Sequence, residues 1–222
     1  LRRFFGDIGE EKLADCVRRA YGPESGFDGG DAAPLRRVGD AHVMELWHGP
    51  TSAFKDVALQ FLPRLLVEAR ASLGYTQGTL ILVATSGDTG KAALAGFADV
   101  TGTRVCVFYP HGGVSAIQRL QMTTQRGANV CAVGVRGNFD DTQTGVKRIF
   151  ADDAFGKDIL QRCWQLSSAN SINWGRLAPQ IAYYVSAWCR LYAAGEISAD
   201  EQLDFVVPTG NFGNILAGWY AG

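Results

Sequence analysis

The chain is poor in the features that mark several functional classes. Lys and Arg total 21 against 22 Asp and Glu, a formal net charge of -1, and no run of like charges occurs. That excludes the basic surface a nucleic-acid partner requires. The five cysteines, at 16, 106, 131, 163 and 189, form no CxxC pair and are odd in number. They read as core residues of a reduced, cytoplasmic protein, with Cys106 and Cys131 inside apolar runs expected to be buried strands, and no metal site is expected. No apolar stretch reaches the ~18 residues of a membrane span, and the first residues carry no export signal. An initial Met is also lacking, and the sequence stops just after a helical pattern begins at Asn214, so a segment of a longer protein is expected.

Of the 222 residues, 47% are hydrophobic, enough for a sizeable core. From position 79 onward short apolar runs alternate with helical patterns. Strands are expected at Thr79–Ala84, Arg104–Tyr109, Asn129–Val135 and Asp204–Val207. Helices are expected at Thr89–Val100, Ser115–Arg126, Asp140–Phe150 and Ile172–Ala194, the last with a boundary or kink at Pro179. Upstream, His42–Trp47 reads as a strand and Asp56–Leu73 as an amphipathic helix, whereas residues 1–40 are less regular. Continuous apolar strands joined by helices give an α/β fold with parallel strands covered by helices on both faces. The expected division is an N-terminal region over 1–40 and a catalytic region over 41–222. Within the latter, 79–166 form a smaller subdomain, and 41–78 with 167–222 form part of a larger one. In such sheets ligands bind beyond the carboxyl ends of the strands.

Four polar stretches fall at loop-to-helix junctions. In Gly49-Pro50-Thr51-Ser52-Ala53-Phe54-Lys55-Asp56, Lys55 is one of only five lysines, against 16 arginines. A lysine at a helix N-terminus faces the positive end of the dipole, which lowers its pKa and favours a nucleophilic neutral amine, although a solvated surface lysine is the ordinary alternative. Thr85-Ser86-Gly87-Asp88-Thr89-Gly90 follows a strand and opens a helix, an arrangement suited to an anion. A Walker loop would need Gly at 85 and Ser or Thr at 92, where Thr85 and Ala92 stand, and GxGxxG fails at Thr85. Gly210-Asn211-Phe212-Gly213-Asn214 is either a phosphate cradle or a tight turn with an Asn cap. Asn170-Ser171-Ile172-Asn173-Trp174-Gly175-Arg176 either caps a helix or binds a dianion through the fork of Arg176.

In order and spacing these four motifs together resemble the threonine synthase family along the whole chain. The resemblance implies the tryptophan-synthase-β-like fold of pyridoxal-phosphate enzymes, incomplete at the C-terminus because family members are longer. It implies a lyase converting O-phospho-L-homoserine and water to L-threonine and phosphate. Lys55 is then the catalytic lysine, carrying pyridoxal 5'-phosphate as a Schiff base. Gly210, Asn211, Phe212, Gly213 and Asn214 hold the cofactor phosphate and Asp88 faces its ring. Thr85, Ser86, Asp88 and Thr89 grip the substrate carboxylate, and Asn170, Ser171, Asn173 and Arg176 bind the substrate phosphate. Asp88 stands where related lyases and cysteine synthases carry Asn, which favours the threonine synthase branch. A phospho-lyase releasing 2-oxobutyrate, or a non-catalytic homologue, is the alternative.

Overall fold

Val, Ile, Leu and Ala dominate three strands that stack side by side in a parallel sheet. The computed structural model describes residues 1–171 and 173–222. In chain order the elements are α1 (Glu10–Tyr21), β1 (Leu35–Val38), β2 (Ala41–Met44), α2 (Lys55–Ser72), β3 (Gly78–Ala84), α3 (Asp88–Phe97), β4 (Thr103–Pro110) and α4 (Ala116–Thr123). They continue with β5 (Val130–Val135), α5 (Phe139–Ala151), α6 (Asp153–Gln161), β6 (Trp164–Ser167), α7 (Trp174–Ala193) and α8 (Gly213–Ala221). The four-stranded sheet has the order β5-β4-β3-β6, and every pairing in it is parallel.

Alternation along the strands divides the core. Ile81, Val83, Val105 and Val107 point to one face and pack with Leu59 and Leu62 of α2, Leu94 and Phe97 of α3 and Met122 of α4. Leu80, Leu82, Ala84, Cys106 and Phe108 point to the other, against Val146 and Ile149 of α5. Helices thus cover both faces, as in the tryptophan-synthase-β-like fold. Pro63 cannot donate a helical hydrogen bond to Leu59, four residues back. Gly96 of α3 comes so close to that carbonyl that a Cβ there would collide with it.

Several expectations need correction. Asp204–Val207 forms no strand, and Val206 is 97% exposed; a strand apolar on both sides needs a neighbour for its backbone, and among the described residues none pairs with it. Ala41–Met44 pairs antiparallel with Leu35–Val38 in a separate hairpin turned at Gly39 (φ 60°). Cys131 is exposed because β5 is an edge strand, and Cys163 and Cys189 are exposed as well. The last long helix runs unbroken through Pro179, and Ile172, its expected start, lies outside the described residues. No helix among the described residues is long and apolar enough to cross a membrane.

Candidate active site

Strand order locates the crevice. The chain runs outward from β3 to β4 to β5, then returns to place β6 on the other side of β3. At such a reversal the loops leaving the two strands diverge and open a binding space. The loop after β3 is Thr85-Ser86-Gly87, and the one after β6 carries Ser168 to Ser171 and Asn173. They are tied together where Asn170 Nδ2 donates to the Ala84 carbonyl over 3.3 Å.

Lys55 is the first residue of α2 and is half-buried. The turn ahead of it is organised by Asp56. This fully buried carboxylate accepts from Thr51 N (2.8 Å) and Thr51 Oγ1 (2.6 Å), and more weakly from Ala53 N (3.4 Å). Ser52 takes a left-handed φ of 54°, and any Cβ at Gly49 would strike Asp56. Lys55 is therefore aimed by a rigid reversal. Burial pushes its ammonium pKa down, the charges of Arg176 and Lys91 push it further, and Asp88 opposes them.

The second motif is held from within. Thr85 is buried, and its Oγ1 accepts from Gly87 N and Gly90 N, both at 2.9 Å, which fixes the loop against the start of α3. Ser86 is exposed, and Asp88 and Thr89 are half-buried. Burial works against ionisation of Asp88, but donation from Gln118 and Lys91, with the nearby Lys55 charge, holds its carboxyl below the ordinary value.

In the fourth motif, Asn173 caps α7, accepting from Gly175 N and donating to the Ser168 carbonyl, both at 2.9 Å. Ser168 Oγ donates to Asn170 Oδ1. Arg176 is only 5% exposed. Its NH1 donates to the Ala169 carbonyl at 2.9 Å, while its Nε is buried without a partner among the described residues. Burial pushes its pKa down to about 10, with no acid to counter the effect. A buried cation lacking a carboxylate suits an anionic ligand.

The third motif reaches this region through Gly213, where a Cβ would lie 3.4 Å from that of Ser171. Asn214 Oδ1 accepts from Tyr183 Oη (2.6 Å) and Tyr184 Oη (2.7 Å), docking α8 on α7. Asn211 and Phe212 are exposed, and the space a Cβ would take at Gly210 is open. The parts fit a phosphorylated aldehyde cofactor: an amine biased toward its neutral form, a backbone turn with room beside its glycine, and surplus positive charge.

Asp56, Lys91 and Gln118 were not assigned roles from sequence. Asp56 stands inside a quoted motif and Lys91 lies three residues after Asp88 on α3, whereas Gln118 is revealed only by the contact between α3 and α4.

The sequence model of the pyridoxal-phosphate-dependent enzyme family matches residues 35–222. Among curated proteins, human threonine synthase-like 1 is 44% identical over 97% of this chain and 29% of its own length. Pseudomonas aeruginosa threonine synthase is 43% identical over 97% of this chain and 43% of its own. The solved structure of pyridoxal-phosphate-bound threonine synthase from Brucella melitensis superposes with a TM-score of 0.85 at 42% identity, covering all of this chain and 45% of that one. The chain thus spans less than half the length of these relatives.

Proposed function

The chain belongs to the pyridoxal-phosphate-dependent enzyme family, and from that premise we propose that it forms the lysine-bearing part of a threonine synthase acting on O-phospho-L-homoserine. The observation that carries this reading is the buried Arg176, which bonds only the Ala169 carbonyl and leaves its Nε without a partner among the described residues, with its charge acting on Lys55. A substrate with both a carboxylate and a phosphate supplies the negative charge this arrangement lacks.

Lys55 would attach the cofactor, Gly210, Asn211, Phe212, Gly213 and Asn214 would hold its phosphate, and Asp88 would help to hold the cofactor. When bound, the cofactor supplies an electron sink for negative charge developing at the substrate α- and β-carbons. Lys55, its amine set free when the substrate's amine displaces it, would then serve as the base that moves protons between those carbons. Ser86 and Thr89 bind the substrate carboxylate, while Thr85 shapes their loop through its two accepted hydrogen bonds. Arg176 and Ser171 grip the phosphate that leaves the γ-carbon, within a turn built by Asn170 and Asn173. Water adds at the β-carbon, so one phosphate is released per threonine.

A second reading keeps the same groups with a different outcome, and threonine synthase-like 1 relatives match this chain as well as threonine synthases do. In it the same groups release phosphate, and the product leaves as 2-oxobutyrate and ammonia. Incubating the intact protein with pyridoxal phosphate and phosphohomoserine separates the two. Threonine and phosphate in equal amounts support the first, accumulation of 2-oxobutyrate replaces it with the second, and release of neither removes both.

A further inference from the structure

Lys91 is assigned none of the roles above, yet it is buried on α3 and its charge acts on Lys55. It sits one turn into α3 with 9% of its side chain exposed, and its Nζ lies 3.2 Å from Asp88 Oδ1. The same oxygen accepts a 2.9 Å hydrogen bond from Gln118 Nε2 of α4. Gln118 is itself fixed, because its Oε1 accepts from Ser115 N in the capping box that begins α4 and its side chain fills the space over Gly87. The Asp88 carboxylate is therefore held from two elements.

The other charges around Lys55 define what this does. The charges that act on it are those of Arg176 on α7 and of Asp88 and Lys91 on α3. Asp56, next to it on α2, turns its carboxylate to Thr51 and Ala53. Gln118 and Gln121 of α4, and the 210–214 turn, bring no charge. Asp88 is thus the acid available to pair with Lys55, and an ammonium paired with a carboxylate stays protonated and unreactive.

We infer that Lys91 is a positioning residue for Lys55: by engaging the Asp88 carboxylate it denies Lys55 a counter-ion and leaves its amine free to act as a nucleophile. The inference deepens the reading of Lys55 as the attachment lysine, but its test does not depend on cofactor. Trace acetylation of the intact protein from about pH 6 to about pH 11, read by mass spectrometry at the Lys55 peptide, gives the midpoint at which that amine becomes reactive. Lys91→Met keeps the buried methylenes and is expected to raise the midpoint by about one unit, leaving roughly tenfold less neutral amine near pH 7.5. Lys91→Gln is expected to do the same, and Lys91→Arg to restore the wild-type midpoint.

Simple repulsion between the two lysines would also raise the midpoint, so the decisive comparison removes Asp88. The step from Asp88→Asn to the Asp88→Asn/Lys91→Met double variant is expected to be well under half the step from wild type to Lys91→Met. Equal steps, or a Lys91→Met midpoint unchanged from wild type, overturn the inference. Trapping of pyridoxal phosphate on Lys55 by borohydride is scored separately, so failure of attachment is not confused with failure of the electrostatic role.

Discussion

Replacing Arg176 by Met is expected to leave the ligand-free protein no less stable while abolishing its response to phosphate. Burial moves the guanidinium from its ordinary value of 12.5 to about 10. At 1.36 kcal/mol per unit, this corresponds to roughly 3 kcal/mol of folding free energy lost in keeping the charge. Because the folded value lies below the unfolded one, the cation is disfavoured by folding; the cost is present in full at neutral pH and lifts only as pH rises above about 10. Met retains most of the side-chain volume, removes that cost and forfeits the bond to the Ala169 carbonyl, worth ~1.5–3 kcal/mol for a charged donor. The two terms nearly cancel, so the unfolding free energy should change by no more than about 1.5 kcal/mol, in the stabilising direction.

Ligand linkage is the contrasting half. An anion held by Arg176 stabilises wild type by ~2.7 kcal/mol at a hundredfold excess over Kd, a Tm rise of several degrees. Thermal unfolding of both proteins with and without phosphohomoserine measures this, and the shift should disappear in Arg176→Met. A variant that loses about 3–5 kcal/mol, the signature of breaking a buried ion pair, and still shows the full ligand shift would refute the reasoning.

Borohydride reduction of the intact protein with pyridoxal phosphate should fix the cofactor on Lys55 and nowhere else, and Lys55→Ala should abolish labelling without altering the circular dichroism spectrum; equal labelling of the variant places the attachment elsewhere. Gly96→Ala should cost about 3–5 kcal/mol in denaturant unfolding, because its Cβ meets the Leu59 backbone carbonyl rather than a movable side chain. A loss below about 1 kcal/mol would mean that α2 and α3 pack less tightly than their backbones indicate.

What could be read from sequence follows from burial. β3 and β4 were legible because their inward positions on the two faces supply apolar runs, and β5 because its residues are apolar even though Cys131 and Val133 stand exposed at the sheet edge. β6 was missed: Trp164-Gln165-Leu166-Ser167 is half polar, and its pairing with β3 spans more than 80 positions. α1 went unread although Leu13, Cys16 and Ala20 already lie on one face at helical spacing. Asp204–Val207 was over-read, since an apolar run does not reveal whether a neighbouring strand exists. The four motifs were visible as local patterns, and helix N-termini stand at or beside Lys55, Asp88, Asn173 and Gly213. Their mutual arrangement was not visible, because the bond from Asn170 to Ala84 and the bond from Gln118 to Asp88 join residues 86 and 30 positions apart.

Two aspartates of the same region show how environment divides one residue type into different tasks. Asp88 is held ionised by donors from two elements, whereas burial pushes the Asp56 carboxyl up despite the hydrogen bonds from Thr51 and Ala53. A raised folded value means the native state binds its proton more tightly, so the Asp56 contribution to stability falls as pH rises from the ordinary carboxyl value through the folded one. Its charge is then a cost at neutral pH, and its acceptors are the benefit. Asn can meet the same donors: Oδ1 accepts from the two backbone N–H groups, and Nδ2 donates to Thr51 Oγ1 once that hydroxyl rotates. Asp56→Asn should therefore stay within about 1 kcal/mol of wild type at neutral pH and flatten the fall in stability above pH 4, whereas Asp56→Ala, which strands buried donors, should lose about 2–4 kcal/mol. If Asn and Ala prove equally damaging in urea unfolding across that pH range, the negative charge itself orders the turn that aims Lys55, and the hydrogen-bond account of that turn is wrong.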